Sequence, residues 1–459
     1  MSKYFTTSEQ DATPITPISA KDLDRWLEDQ DEYVKTYVKG QNFTASAQST
    51  LIIPDQNGTV SRVLVGIAKD DTLYRFSSAA KKLPEGKYYI DSPMDEDVAT
   101  QAAIGWALGQ YKFDRYLKEK ASAPRLLTYP ANADQKIIDS TINSVTLVRD
   151  LVNTPANDLG PEELAKAGEA LAKEFNGASN VIIGENLLKQ NYPMVHAVGR
   201  ASSRAPRLFD MTWGDENAPK ITLVGKGVIF DNGGNNLKSG SSMRNMKKDM
   251  GGAAHVLGLA RMIMENNLPV RLRVIMPAVE NAVSGNAFRP GDILKSRKGI
   301  SVEIANTDAE GRLILADALA EASSEKPDLI IDFATLTGAA RVALGPDVPP
   351  FYTDNDDVAA AFAKAGSDKQ DPVWRLPLWD DYYSMMKSDV ADICHTGGGH
   401  GGSITAALFL KKFVDDSKKW IHIDTWAWRA SSRPGRPTGG DAQGMRAAYK
   451  VLKDRFGKK

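Results

Sequence analysis

Over the last two thirds of the chain, short apolar runs alternate with stretches whose apolar positions recur every three or four residues. Val181-Ile-Ile183, Ile221-Thr-Leu-Val224, Leu272-Arg-Val-Ile-Met276, Val302-Glu-Ile304, Leu329-Ile-Ile-Asp-Phe-Ala334 and Ile421-His-Ile-Asp424 have the length and composition of strands. Between them Met250–Glu265, Leu313–Ser323, Val358–Lys364 and Ile404–Phe413 follow the helical period. Upstream, Val145, Leu147, Val148, Leu151 and Val152 predict one helix, and Glu162–Phe175 another. This alternation predicts an α/β domain: three layers, αβα, around a mixed, mostly parallel sheet covered on both faces.

The first third reads differently. Residues 1–18 are polar and spiked with threonine and proline, and are expected to be an extended or mobile leader. Ser19 could cap a helix carrying Leu23, Trp26 and Leu27. Ser49–Ile53 and Val63–Ile67 flank Asn57-Gly58 and predict a hairpin. A further strand is expected at Gly86–Ile90, then an alanine-rich helix from Val98 to Phe113. Ala123-Pro124 and Tyr129-Pro130 suggest a linker. The expected organisation is a small α/β domain over 1–135, a linker helix over 136–160 and a larger domain over 161–459.

The length of 459 residues also favours two domains. A net charge of −1 at pH 7 supplies no broad basic field for nucleic acid or anionic lipid. The single cysteine, Cys394, rules out an intrachain disulfide and is expected to be a small buried hydrophobe. No run approaches ~18 apolar residues, and the first ten residues lack a signal-peptide core. These features predict a soluble, cytoplasmic protein with no membrane partner.

Chemistry concentrates in two stretches. In Asn306-Thr-Asp-Ala-Glu-Gly-Arg-Leu313, Asp308 and Glu310 lie where an apolar run gives way to a helical one. Two close carboxylates need protons, cations or metal, and Arg312 alone cannot neutralise both. The competing explanation is a helix N-terminus, where acids favour the dipole. In the second stretch Lys226, Asp231, Lys238 and Asp249 are strung along a glycine-rich connection. It lacks the pattern of a phosphate-cradling loop. The five histidines show no short ligand spacing. His255 reads as a satisfied core histidine, while His395 and His400 sit in a glycine-rich loop.

Together these stretches resemble the leucyl aminopeptidase, or cytosol aminopeptidase, family of dinuclear metallopeptidases. The signature Asn306–Leu313 is intact, and Val224-Gly-Lys-Gly227 with Phe230-Asp-x-Gly-Gly234 matches the second metal motif. The resemblance spans roughly residues 145–445. It implies a metal-dependent aminopeptidase that removes the N-terminal residue of peptides. One metal would be held by Lys226, Asp231, Asp249 and Glu310, the other by Asp231, Asp308 and Glu310. Lys238 would polarise the carbonyl, and Arg312 would hold a bicarbonate that shuttles the proton. Met246, Asn306, Thr335, Leu336 and Gly338 would face the substrate. Two divalent ions per subunit are implied, zinc or manganese, with magnesium or cobalt also compatible with carboxylate ligands. A homohexamer is implied, the first domain aiding assembly.

The chain departs from the family at Asn232, at Asn235-Asn-Leu-Lys-Ser239 and, more strongly, at Thr425-Trp-Ala-Trp-Arg429, followed by Ser432–Pro437. Trp426 or Trp428 is therefore a candidate for reshaping the first-residue pocket; packing in the core or an oligomer contact is the competing role. Rival readings are a non-catalytic or DNA-binding scaffold of the same fold, and a dipeptidase or cysteinylglycine hydrolase. All metal-motif residues being present disfavours the scaffold, and the near-neutral charge disfavours nucleic acid.

Overall fold

The computed structural model describes residues 3–457, so the first two residues of the expected leader lie outside the described residues. The chain forms two compact units. One comprises residues 1–146 with a return segment, 430–438; the other comprises 147–429 and 439–459.

The first unit is built on a six-stranded sheet. Its strands are β1 (Phe5–Thr6), β2 (Thr13–Ile18), β3 (Thr50–Pro54), β4 (Val60–Gly66), β5 (Lys87–Ile90) and β6 (Leu126–Thr128), in the order β1-β6-β5-β2-β4-β3. The hairpin around Asn57-Gly58 forms as expected, β3 antiparallel to β4. Of the two states expected for residues 1–18, the extended one holds at Phe5–Thr6 and Thr13–Ile18, which are strands. β2 runs between β4 and β5 and buries Ile15 and Ile18. Pro14 and Pro17 disguise it, because proline cannot donate to a ladder and usually argues against an inner strand. Leu126–Thr128, within the stretch that reads as a linker, is likewise a strand, with Leu127 fully buried. The alanine-rich helix runs Glu96–Gly109, capped by the Asp95 carboxylate, which accepts from Val98 N–H.

The second unit is organised by a long mixed sheet. β7 (Ala178–Ile183), β8 (Arg207–Trp213), β9 (Lys220–Gly225), β10 (Gly227–Asp231), β11 (Arg271–Asn281), β14 (Leu329–Ala334), β15 (Pro350–Tyr352), β16 (Trp374–Arg375) and β18 (Trp420–Asp424) belong to it. Its path is β16-β15-β18-β14-β9-β11-β8-β7, and β10 continues β9 along the same edge of β11. β18, β14, β9 and β11 are mutually parallel. The helices Met250–Glu265, Leu313–Ser323 and Ile404–Phe413 expected from periodicity are present, as Gly251–Glu265, Glu310–Ser324 and Gly402–Lys411. Leu313, Ile314, Leu315, Leu408 and Phe409 are fully buried in one core. Each such side chain contributes roughly 1.5–3 kcal/mol through the apolar surface removed from water.

Val302-Glu-Ile304 differs from its expected place. It forms β13 (Ser301–Glu303), flanked by β12 (Ile293–Lys295) and β17 (Ile393–Cys394) in a separate three-stranded sheet. An apolar run marks a buried strand but not which sheet it joins. Cys394, expected to be buried, is half-buried on β17.

Candidate metal and catalytic site

The site forms where parallel strands of the central sheet end. β14 pairs with β9 up to Phe333 opposite Gly225, and the Lys226 N–H then donates to Phe333 O at 3.0 Å. β9 and β10 hold one register along β11 as far as Val228, so Lys226 sits at the junction. Lys226 and Asp231 are an odd number of positions apart, which strand alternation would send to opposite faces. Between Val228 and Asp231 the register shifts, three positions on β10 answering two on β11. This bulge returns Asp231 to the face of Lys226.

The acidic pair arrives from the other side. After β13 a 3-10 turn, Thr307–Ala309, leads into the helix that begins at Glu310. Asn306, not either acid, caps this turn: its side-chain oxygen accepts from Asp308 N–H at 2.9 Å. The helix-terminus explanation for Asp308 and Glu310 therefore does not account for their side chains. Oxygens of Asp231, Asp308 and Glu310 lie within 4.8 Å of one another. Asp249 completes the group from the 3-10 turn Met246–Met250.

Two lysines thread between these carboxylates. Lys226 Nζ lies 2.8 Å from Asp249, 3.1 Å from Glu310 and 2.9 Å from Thr335 O. Lys238 Nζ lies 2.9 Å from Asp231 and contacts Asp308. Burial disfavours both ammonium groups. The carboxylates outweigh it: Asp249, Glu310 and Asp231 hold the Lys226 pKa above the ordinary lysine value, and Asp231 and Asp308 do the same for Lys238. Asp231 and Glu310 are pushed up from the usual carboxylate range by burial first, and then by the neighbouring carboxylates.

These features fit divalent cations. The donors are hard oxygens, crowded enough to resist joint ionisation. Glu310 Oε2 is buried with no hydrogen-bond donor, an uncompensated acceptor that a cation would satisfy. Asp231 Oδ1 is already oriented by Gly233 N–H at 2.9 Å and Asn281 Nδ2 at 2.8 Å, the outer support that aims a ligand.

Some residues holding this geometry, Asn281, Asn236, Thr337 and Asp424, have no role assigned from the sequence, and Thr307 is legible only as part of the signature. Thr307 donates to Gly233 O at 2.6 Å and accepts from Asn236 N–H at 2.9 Å. Asn281 donates to both Asp231 and Thr307 O. These bonds lace the two motifs together, and residues so distant in sequence show no local pattern. Thr335 Oγ1 donates to Asp249 Oδ1 at 2.8 Å. Leu336 and Thr337 N–H groups both donate to Asp424, at 2.9 and 3.1 Å, fixing the turn that leads to Gly338.

Arg312 is buried. Its Nη1 donates to His395 O at 2.7 Å, while Nε has no partner among the described residues. Burial brings its pKa down to about 10. His395 is not among the clustered ligand groups. Its Nε2 bonds Asn306 O at 2.8 Å, and burial together with the Arg312 charge pushes its pKa down to about 4. His255 is a satisfied core histidine, between Gly251 O and Gln443 N–H. Met246 is half-buried three positions before Asp249, and Asn306 is exposed. Trp426 and Trp428 are half-buried, one beneath Arg341 and the other beneath Lys247.

The catalytic-domain model of the cytosol aminopeptidase family matches residues 146–449, and that of the M17 aminopeptidase N-terminal domain matches residues 13–129. The crystal structure of cytosol aminopeptidase from Coxiella burnetii is 45% identical, with a TM-score of 0.95, and the likeness covers 99% of both chains. A probable cytosol aminopeptidase from Syntrophotalea carbinolica is 42% identical over 365 residues, covering 76% of this chain and 73% of that protein. The manganese complex of the bottromycin maturation enzyme BotP is 28% identical, with a TM-score of 0.86, over 97% of this chain and 99% of the other.

Proposed function

This chain belongs to the cytosol aminopeptidase family, whose members are metallo-exopeptidases of the leucyl aminopeptidase type, and on that premise we propose how its residues carry out metal-dependent removal of an N-terminal residue from a peptide. The observation that carries the proposal is the convergence of Asp231, Asp308 and Glu310, with Asp249 joined to Glu310 through Lys226 and the uncompensated Glu310 oxygen among them.

Lys226, Asp231, Asp249 and Glu310 would hold one divalent ion, and Asp231, Asp308 and Glu310 a second. The pair would supply Lewis acidity toward the scissile carbonyl and toward water at neutral pH. A ligand role for Lys226 requires the neutral amine, and dications facing the same carboxylates favour loss of its proton.

Lys238 keeps its charge through Asp231 and Asp308, and its ammonium meets negative charge developing on the substrate oxygen. Arg312 offers an unused Nε–H beside a guanidinium pinned by His395 O. That fork suits a planar anion such as bicarbonate, which would take up the water proton. Thr335, Leu336 and Gly338, with Met246 and Asn306, would receive the substrate's amino end and first side chain. Asp424 holds the turn between Leu336 and Gly338 in place.

Manganese is a candidate because a related enzyme was solved with it; zinc, magnesium and cobalt suit the same donors. Among the described residues no helix is long and apolar enough to cross a membrane. The cytosol aminopeptidase names of the relatives and the single cysteine support a cytoplasmic setting. A homohexamer is the assembly that the family resemblance implies.

The test is hydrolysis of aminoacyl-arylamides by metal-stripped protein, with manganese, zinc, magnesium or cobalt added back. Activity restored by metal and abolished by Asp308→Ala is the expected result. A folded protein inactive with every metal, on arylamides and on peptides, overturns the reading.

A further inference from the structure

Beyond the turn Leu336–Gly338 lies a small, solvent-open depression lined by Thr337, Ala340, Arg341, Asp424, Thr425 and Trp426, together with a proline-rich rim. Its electrostatics are one-sided. Asp424 is the only carboxylate in the lining, and it is saturated. It accepts from Leu336 N–H, Thr337 N–H, Thr337 Oγ1 and Ser403 Oγ, at 2.6–3.1 Å. Four donors leave it little capacity to take a cation.

Arg341 is exposed, one helical turn beyond Thr337. Its guanidinium lies 5.0 Å from the Trp426 ring centroid, and it has no ion pair with a carboxylate among the described residues. Stacking on an aromatic face removes side-chain freedom from a long cation while leaving its in-plane N–H donors unused. Tryptophan narrows the depression and arginine charges it, so both features work against a leucine side chain.

We propose that Arg341, held by Trp426, is a specificity-determining residue that receives the side-chain carboxylate of an acidic first residue. The proposal rests on the aminopeptidase reading, in which the turn Leu336–Gly338 faces that residue. The C-terminal carboxylate of a dipeptide has the same chemistry and is separated by substrate choice, since arylamides lack it.

The experiment compares kcat/KM for glutamyl-, glutaminyl- and leucyl-arylamides, using manganese-loaded wild type, Arg341→Met, Arg341→Lys and Arg341→Glu. Each ratio is taken within one protein, so partial loss of folding or metal cancels. The glutamyl-to-glutaminyl ratio is expected to fall about tenfold in Arg341→Met, the order set by one charge-assisted contact. It should partly recover in Arg341→Lys and invert in Arg341→Glu. An unchanged ratio in all three variants overturns the proposal while leaving the aminopeptidase reading intact. If the arylamide ratio stays constant but Arg341→Met loses activity on Leu-Leu relative to leucyl-arylamide, the depression takes the dipeptide terminus and the side-chain assignment is wrong. Failure of the wild type on every arylamide and peptide would sink the aminopeptidase reading itself.

Discussion

Gly311 lies directly against Lys226: a Cβ at position 311 would stand 2.3 Å from Lys226 Cε and 2.6 Å from its Nζ. The glycine of the Asn306–Leu313 signature is therefore a channel. It lets the Lys226 side chain pass the start of the helix Glu310–Ser324 and reach Asp249 and Glu310. Gly311→Ala should displace the ammonium group, costing about 1–3 kcal/mol of stability through overpacking. Metal-restored kcat/KM is expected to drop at least about tenfold. Circular dichroism and urea unfolding would establish that the variant folds. Wild-type activity in a folded Gly311→Ala protein would show that the close approach is not needed.

Metal should also act on folding. Buried carboxylates pushed out of their ordinary range oppose one another until a cation intervenes. A divalent ion that binds only the native state stabilises it by about 2.7 kcal/mol at a hundred times its Kd. Saturating manganese is therefore expected to raise Tm. Glu310→Gln, which removes one of the crowding charges, should weaken that response and lower metal content by mass spectrometry. An equal Tm rise in wild type and Glu310→Gln would place the ion elsewhere.

Lys238 and Lys226 contact different members of one carboxylate cluster, Asp231 and Asp308 for the first and Asp249 and Glu310 for the second, and are assigned different work. Lys238→Met should lower kcat by about 10²–10³ with little change in KM, as expected for a charge that acts on the developing oxyanion. It should retain metal. Lys226→Met should lose metal affinity as well. Steady-state kinetics beside metal analysis separates the two, and loss of metal in both variants would contradict the division of roles.

Two buried groups predict opposing pH dependences of stability. His395 is pushed down to about 4 by burial and by Arg312. Its contribution is present above the unfolded histidine pKa of ~6.5, and is lost as pH falls from there toward 4. Asp317 is pushed up to about 7 by burial, although Met194, Val195 and Arg297 N–H groups donate to it. Its contribution is present at low pH and is lost as pH rises through 7. Each can tilt the stability curve by at most about 1.4 kcal/mol per pH unit, in opposite senses. Between pH 7 and 4, Asp317→Asn should steepen the loss of stability on acidification, and His395→Asn should flatten it. Urea midpoints at constant m value test both, and parallel curves for the variants and wild type would refute the assignment.

Much of the second unit was legible because its elements are long and strongly periodic. Gly251–Glu265 and Glu310–Ser324 were expected almost to their ends, and β9, β11, β14 and β18 were marked by short apolar runs. β2 was hidden by two prolines, and the expected strand at Val302 joined a small sheet instead of the central one. β8 and the last helix, Met445–Phe456, were not anticipated. Their patterns mix charged and apolar positions, and pairing with β11 and β7 on either side, rather than local composition, makes β8 a strand.

The amino-acid order by itself determined the family and the α/β class and named the candidate site residues, since these rest on residue types at short spacings and on local period. It left the relation between the two motifs open. Only the tertiary structure decided that a bulge at Val228–Asp231 turns Asp231 toward Lys226, that Asn281 and Thr307 tie strand to loop, and that Arg341 is laid over Trp426 beside a saturated Asp424. Those contacts join residues far apart along the chain. Their energies depend on burial and on mutual distance, and neither is a property of any local stretch.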